Sequence, residues 1–128
     1  MTILGINHFT ILTTEIERSC LFYETIIRAK VGPRPNFNFP GAWLYIDEKP
    51  IIHLVQIEQP ISTKSIIDHV ALSAENIAEY IYRLKNNNIS YELRKLPSGC
   101  KESGSWQLFI CDPGGALLEL CFDASELP

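Results

Sequence analysis

The chain has no cluster of basic residues: its 11 lysines and arginines are scattered among 15 acids, for a formal net charge of −4. Nucleic acid and anionic lipid surfaces both require a basic face, and none is encoded here. No apolar run approaches the roughly 20 residues that span a bilayer. Met1 to Asn7 also lacks the basic-then-apolar pattern of a signal peptide, so the expected location is the cytoplasm. The four cysteines, Cys20, Cys100, Cys111 and Cys121, include no C-x-x-C pair, which argues against a zinc knuckle. They read as small, partly buried thiols in a reducing compartment. With 46% hydrophobic and 20% charged residues, the chain has the composition of a folded protein rather than a disordered one. Its length suits one compact unit or two small halves sharing a core.

What is present is a repeat. Ile6-Asn7-His8-Phe9-Thr10-Ile11-Leu12 is echoed by Ile67-Asp68-His69-Val70-Ala71-Leu72-Ser73. Each reads as an apolar strand carrying a histidine, and each leads into an acidic segment with helical periodicity. The first helix is expected over about Glu15 to Ala29, with Ile16, Cys20, Tyr23 and Ile27 on one face. The second is expected over about Glu75 to Asn87, with Ile77, Ile81 and Leu84 aligned. Thr14, and Ser73 or Ala74, stand near the expected N-caps. Further on, Trp43-Leu44-Tyr45-Ile46 and Trp106-Gln107-Leu108-Phe109-Ile110 each precede a turn, Asp47-Glu48-Lys49-Pro50 and Asp112-Pro113-Gly114-Gly115. Another apolar strand follows each turn, one carrying His53 and the other Glu119 at a corresponding place.

A further strand fits between each helix and its hairpin: Lys30 to Arg34, weakened by Pro33 and Pro35, and the better alternating Ser90 to Arg94. The architecture expected is α+β, with strand–helix–strand–strand–strand performed twice in a curved mixed sheet. Residues 1–59 and 65–124 form the two modules of one domain spanning 1–128, joined near Gln59 to Lys64, where Pro60, Ser62 and Thr63 mark a connection. Such a unit cannot close its own sheet edge, but two packed together can.

Four polar residues fall in apolar strands: His8, His53, His69 and Glu119. A lone histidine on such a strand is usually a satisfied core or edge residue, and Glu119 alone could point outward. The joint pattern is harder to dismiss, because every histidine of the chain occupies a repeat-related position. An ionised carboxylate among Leu117, Leu118, Leu120 and Cys121 needs a cation, and no Arg or Lys lies within two residues of Glu119 or His53. Imidazoles plus one carboxylate suit one borderline divalent ion, Zn, Ni, Co, Fe or Mn, rather than Ca or Mg. A structural zinc site would close its tetrahedron with cysteine, and no cysteine is expected to join. Trp43, Tyr45, Trp106 and Gln107 are weaker candidates for walls of a substrate pocket, with Phe37 and Phe39 beside them. Arg34, Arg94, Lys95 and Lys101 could meet an anionic substrate but read more simply as solvated loop residues. The segments Pro33 to Pro40 and Ser98 to Ser105 read as mobile loops suited to covering a cup mouth.

At these residues the chain resembles the vicinal oxygen chelate superfamily, which includes glyoxalase I, extradiol dioxygenases, methylmalonyl-CoA epimerase, fosfomycin-resistance transferases and metal-free bleomycin-binding proteins. The resemblance covers nearly the whole chain. It rests on Ile6-Asn7-His8-Phe9, Phe39-Pro40-Gly41-Ala42-Trp43-Leu44, Ile52-His53-Leu54-Val55, Asp68-His69-Val70-Ala71 and Asp112-Pro113-Gly114-Gly115-Ala116-Leu117-Leu118-Glu119-Leu120. The last of these is the most specific. The resemblance implies a paired βαβββ, glyoxalase-like fold, a homodimer, a small-molecule substrate, and a metal cup lined by His8, His53, His69 and Glu119.

It also implies Lewis-acid chemistry on a substrate bound through neighbouring oxygens. Glyoxalase I moves a proton between adjacent carbons of a glutathione hemithioacetal through an enediolate, and Glu119 would be its base. His53 departs from that pattern, since glyoxalase I has a carboxylate there. The extradiol alternative uses His8, His69 and Glu119 on iron, with His53 standing back. Fosfomycin transferases share that set but need a more cation-rich substrate site. The non-enzyme alternative is a metal-free drug-binding module of the bleomycin-resistance type.

Overall fold

The computed structural model describes residues 2, 4–61 and 67–128, and the chain divides into two compact units, Met1–Ser62 and Thr63–Pro128. The part of the expected connection from Ser62 to Lys64 lies outside the described residues.

The first unit runs β1 (Phe9–Thr13), α1 (Ile16–Phe22), a π-helical turn (Tyr23–Ile27), β2 (Lys30–Gly32), β3 (Gly41–Ile46) and β4 (Lys49–Gln56). The second runs β5 (Val70–Ser73), α2 (Ile77–Asn86), β6 (Glu92–Lys95), β7 (Trp106–Cys111) and β8 (Leu117–Phe122). Each is a βαβββ unit with its own four-stranded mixed sheet, in the orders β1-β4-β3-β2 and β5-β8-β7-β6. The architecture is α+β with two βαβββ units, as expected. In both units the first strand pairs parallel with the last, and the last pairs antiparallel with its hairpin partner.

Period-two alternation sorts each sheet into two faces. In the first unit Ala42, Leu44, Ile52 and Leu54 are buried, and α1 packs on β3 and β4 with Phe22 buried beside them. In the second, Leu108, Ile110, Leu118, Leu120 and Phe122 are buried together with Ile77 and Leu84 of α2, and Tyr80 meets Phe122 edge-on at 5.6 Å. The residues between them, His53 on β4 and Glu119 on β8, take the opposite face.

The helices depart from simple periodicity in two ways. The first is α-helical only to Phe22; a π-helical turn then carries Tyr23, Ile26 and Ile27 into the core and ends at Arg28 in the left-handed region, φ 69°. Ser19, Phe22, Tyr23, Ile26 and Ile27 form its buried face, while Ile16 and Cys20 are half-buried. Neither helix is capped by Thr14, Ser73 or Ala74. The residues at the caps are Glu15 and Asn76, without side-chain capping bonds of their own. The first helical N–H groups are satisfied from far along the chain: Ile16 N–H donates to Gln56 Oε1 at 3.3 Å, and Ile77 N–H to Glu126 Oε1 at 2.7 Å. An orphan helix donor accepts any well-placed oxygen, whatever its sequence distance.

Two turns set the hairpins. Asp47 and Glu48 link β3 to β4 with φ of 51° and 63°, a tight turn built from two non-glycine residues in the left-handed region. The longer β7–β8 turn is organised by buried Asp112, whose Oδ1 accepts the N–H groups of Gly114 at 3.0 Å and Ala116 at 2.8 Å. Asp112→Ala leaves those two donors without their acceptor and is expected to cost about 1–3 kcal/mol. Glu48→Gly relieves a side chain from left-handed backbone and is expected to stabilise by about 0.5–1 kcal/mol. Urea midpoints at constant m-value check both; an Asp112→Ala midpoint equal to that of the unaltered protein would deny the turn its organising carboxylate.

Candidate functional site

In the first unit, β4 is a central strand, and His53 lies on it between Thr10 of β1 and Trp43 of β3. His53 is 9% exposed, and its ring is the middle layer of a stack. His8 lies on one side at 3.8 Å and 14°, and Trp43 on the other at 4.0 Å and 10°. The Nε2 atom of His53 donates to the Pro50 carbonyl at 3.0 Å, since a carbonyl can only accept. Burial, above all, pushes the His53 pKa down. The His8 ring and the Arg34 charge add to this, against the opposing pull of the Pro50 carbonyl. His53 is thus a neutral ring at physiological pH, with Nδ1 as its open nitrogen.

His8 is exposed and precedes β1 rather than sitting within it. Its Nδ1 meets Asn7 Oδ1 at 2.7 Å, which fixes the proton on Nδ1 and leaves the Nε2 lone pair open. Parallel planes do not intersect, and metals bind imidazole in the ring plane. His8 and His53 can therefore share an ion only after one ring leaves the stack, and His8 is the exposed one of the two.

The second unit repeats the register. Glu119 lies on central strand β8 between Ala71 of β5 and Phe109 of β7. It is 7% exposed, and His69 precedes β5 as His8 precedes β1. His69 Nδ1 meets Asp68 Oδ2 at 2.9 Å, while Nε2 stands 3.3 Å from Glu119 Oε1. Asp68 takes the Nδ1 proton, so a cation must mediate between Nε2 and the carboxylate: a second ring proton or a metal. Ligand nitrogen and oxygen about 2.0–2.2 Å from one ion lie about 3.0–3.4 Å apart, so the 3.3 Å separation fits such an ion.

The other carboxylate oxygen, Oε2, is 2.8 Å from Cys121 Sγ and 3.4 Å from Gln107 Nε2. Cys121 shares the Glu119 face because it lies two positions along the same strand. The expectation that no cysteine would stand near the site is corrected here; period-two alternation after Glu119 was the available signal. The thiol is pushed up to about 12, by burial first and then by its hydrogen bond to Glu119 and that group's charge. In this state it is a proton donor to Glu119 rather than a metal ligand. Among the described residues, no group of three or more His, Cys, Asp or Glu side chains is arranged to hold a metal ion. The donors occur instead as two pairs, one per unit.

The weaker pocket candidates divide. Trp43 stacks on His53, and Gln107 touches Glu119. Tyr45 is engaged elsewhere, donating to the Pro33 carbonyl at 2.6 Å and lining an open depression of about 640 Å³ with Arg28, Lys30, Asp47 and Glu48. Trp106 pairs with Phe122 on the helix-side face and donates to the Glu126 carbonyl at 2.9 Å. It therefore lies on the wrong side of the sheet to meet Glu119. Of the candidate cations, Arg94 pairs with Glu92 at 2.9 Å, Lys95 covers Trp106 at 5.1 Å, and Lys101 lies 3.9 Å from Glu102.

Neither segment read as a mobile loop hangs free. Pro33 O is held by Tyr45, and Pro40 O accepts from Gln56 N at 3.0 Å. In the other segment, Leu96 N donates to Ser105 O and Gly104 N to Leu96 O, both at 2.8 Å. All four cysteines are free, but Cys100 and Cys111 are exposed rather than partly buried.

Known proteins are similar to this chain over nearly its whole length. No family model matches the chain. Glyoxylase I 4 of Arabidopsis thaliana is 28% identical over 131 residues, 97% of this chain and 73% of the plant protein. A glyoxalase family protein from Enterococcus faecalis shares the fold at TM-score 0.71 with 25% identity, over 94% of this chain and 99% of that one. A glyoxylase/bleomycin resistance protein/dioxygenase domain from Frankia sp. EAN1pec superposes at TM-score 0.77 with 19% identity, over 95% and 99%. These likenesses support a relation to the vicinal oxygen chelate superfamily. The chain's two βαβββ units are the repeat of that fold. No helix of the described chain is long and apolar enough to cross a membrane.

Cys121 supplies a direct check of the Glu119 environment. In metal-free protein, iodoacetamide at pH 8 should label exposed Cys100 and Cys111 and leave Cys121 unmodified, because alkylation requires thiolate. Raising the pH toward 12 should release it, and Glu119→Gln should bring that release to lower pH. Labelling of Cys121 at pH 8 as fast as Cys100, read by peptide mass spectrometry, contradicts the buried thiol–carboxylate pair.

Proposed function

We propose that the protein is a divalent-metal-dependent lyase or isomerase of the glyoxalase I type, acting on a small oxygenated metabolite such as a glutathione hemithioacetal. In this reading His8, His53, His69 and Glu119 are the ligands of a transition metal, Zn, Ni, Co, Fe or Mn. Residues 1–59 and 65–124 act as two modules of one domain, and the protein works as a cytoplasmic homodimer. The observation that carries the proposal is the matched treatment of two histidines. Asn7 and Asp68 each hold the following histidine by Nδ1, leaving Nε2 open, and the Nε2 of His69 faces buried Glu119 at 3.3 Å. Oriented imidazoles with a carboxylate or amide oxygen behind them are the usual outer shell of a metal site.

The ion, when bound, supplies Lewis-acid polarisation to adjacent substrate oxygens. The chain's own part is proton movement. Glu119 has one oxygen directed to His69 and the other held by Cys121 and Gln107. Glu119 would help hold the ion and would also be the group that takes a proton from carbon, with the Cys121 thiol donating to Oε2. His53 adds no charge, so the carboxylate does this work alone.

A second reading has a specific observation behind it. The Nε2 of His53 is spent on the Pro50 carbonyl and its ring is fixed between His8 and Trp43. This favours a three-ligand set of His8, His69 and Glu119, the set of an extradiol dioxygenase.

Elemental analysis of protein purified without chelators is expected to return about one equivalent of a transition metal per chain. Less than about a tenth would support the metal-free binding module instead. His69→Ala and Glu119→Ala should abolish stoichiometric binding, and Asp68→Ala should weaken it by about 10–100-fold. Full occupancy in both ligand variants would defeat the site. His53→Ala separates the readings: lost metal favours the four-ligand isomerase, retained metal the three-ligand set. Assays with methylglyoxal plus glutathione, and with catechols under oxygen, decide the chemistry.

A further inference from the structure

The first unit contains a guanidinium without an acid. Arg34 follows β2 in the segment Pro33 to Pro40, and no Asp or Glu among the described residues pairs with it. Its Nη1 and Nη2 both reach a single acceptor, the Phe39 carbonyl, at 3.4 Å each, the long end of a hydrogen bond. Its Nε is shielded from solvent and has no hydrogen-bond partner. Five N–H donors thus share one weak acceptor, while the group has already lost part of its water. A half-buried cation left in this way is unfavourable unless something else completes it.

The surroundings hold the group in place. The guanidinium carbon lies 5.0 Å from the centroid of Phe37 and 5.2 Å from that of Phe39, and the two rings stack on each other at 4.9 Å. Beneath them Gly41 makes the room: a Cβ there would meet Arg34 Nη2 at 3.1 Å and collide with the Leu54 carbonyl. Pro33, Pro35 and Pro40 stiffen the segment, and Tyr45 and Gln56 pin its ends. Phe37 and Phe39 remain 44% and 40% exposed, so apolar surface beside the cation is open to solvent. From Phe37 the rings continue to Trp43 at 6.4 Å and from Trp43 to His53 at 4.0 Å.

We propose that Arg34 and the Phe37–Phe39 pair form a carboxylate-recognition subsite, and that the substrate is a small organic acid. Its carboxylate pairs with the Arg34 fork, and its apolar body lies along Phe37 and Trp43. This extends the preceding reading by naming the substrate class, since the ring series ends at His53. The fork geometry of guanidinium matches two carboxylate oxygens, which a lysine ammonium does not. Rotation about the last bonds of the arginine turns Nε outward to join Nη2 in a bidentate pair. Phosphate offers similar oxygens, but the exposed rings beside the fork favour a ligand with an apolar body.

The test uses the full chain freed of metal by dialysis against EDTA, so that binding of the acid to a metal ion is excluded. Calorimetric titration with benzoate should show saturable binding, with benzamide, its neutral counterpart, at least about tenfold weaker and inorganic phosphate weaker than benzoate. Arg34→Met should abolish benzoate binding. Arg34→Lys, which keeps the charge and carries the test if the first variant does not fold, should weaken it about tenfold. Metal content of Arg34→Lys should equal that of the unaltered protein, so loss of this subsite and loss of the metal site are read separately. Equal binding of benzoate and benzamide, unchanged benzoate affinity in Arg34→Lys, tighter binding of phosphate than of benzoate, or no benzoate binding at millimolar concentration would each overturn the proposal.

Discussion

Thr10 lies opposite His53, and Ala71 opposite Glu119, because the first strand of each unit runs parallel to the last in one fixed register. Much else in each unit follows from that pairing. Side chains alternate across a strand, so Ile52 and Leu54 can enter the core beside α1 only if His53 faces away. Leu118 and Leu120 impose the same choice on Glu119. A slip by one residue in either pairing would drive that unit's imidazole or carboxylate under the helix and carry the two flanking apolar side chains out. The burial of the apolar residues and the position of the polar ones are therefore a single constraint. It also sets His8 and His69, each two residues before the paired position, immediately ahead of the parallel strand.

The two units solve the same problem differently. His53 is made tolerable in a buried position by losing its charge, donating to a carbonyl and lying between two other rings. Glu119 is surrounded by donors: a thiol, an amide and an imidazole whose other nitrogen is already committed to Asp68. One site is neutral and aromatic, the other acidic and calls for a cation. Matching register positions in the two units thus carry unlike surroundings.

Rigidity around these residues comes from proline and from hydrogen bonds between distant positions. The segment carrying Arg34 looks like a loop by composition, yet Tyr45 and Gln56 fasten it to β3 and β4. Gln56 serves twice, accepting from the first N–H of α1 and donating from its own backbone to Pro40. Glu126 does related work in the second unit, accepting from α2 and from the Trp106 indole through different oxygens. Through side chain and backbone together, Gln56 ties the start of α1 and the Pro40 loop to β4, and Glu126 ties the start of α2 to Trp106 of β7.

The repeat, the order of elements, and the alternation of apolar residues around His53 and Glu119 were legible in the chain, because periodicity is local and survives without neighbours. So was the Asp112-Pro113-Gly114-Gly115 turn, whose carboxylate accepts from the nearby N–H groups of Gly114 and Ala116. Other features depended on residues tens of positions apart. The caps supplied by Gln56 and Glu126, the π-helical turn that carries Tyr23 inward, and the stacking of His8 and Trp43 on His53 have no local signature. Cys121 was misjudged because its neighbours were read as an apolar run, when alternation put it on the Glu119 face. Trp106 was misjudged because its strand has two faces, and only the pairing with Phe122 tells which one the indole takes. Sequence by itself determined which residues are polar, apolar and periodic, and hence the two βαβββ units. Tertiary structure alone decided which polar atoms meet, because hydrogen bonds, ring stacks and an unpaired guanidinium such as Arg34 depend on distances between segments that the chain's order does not contain.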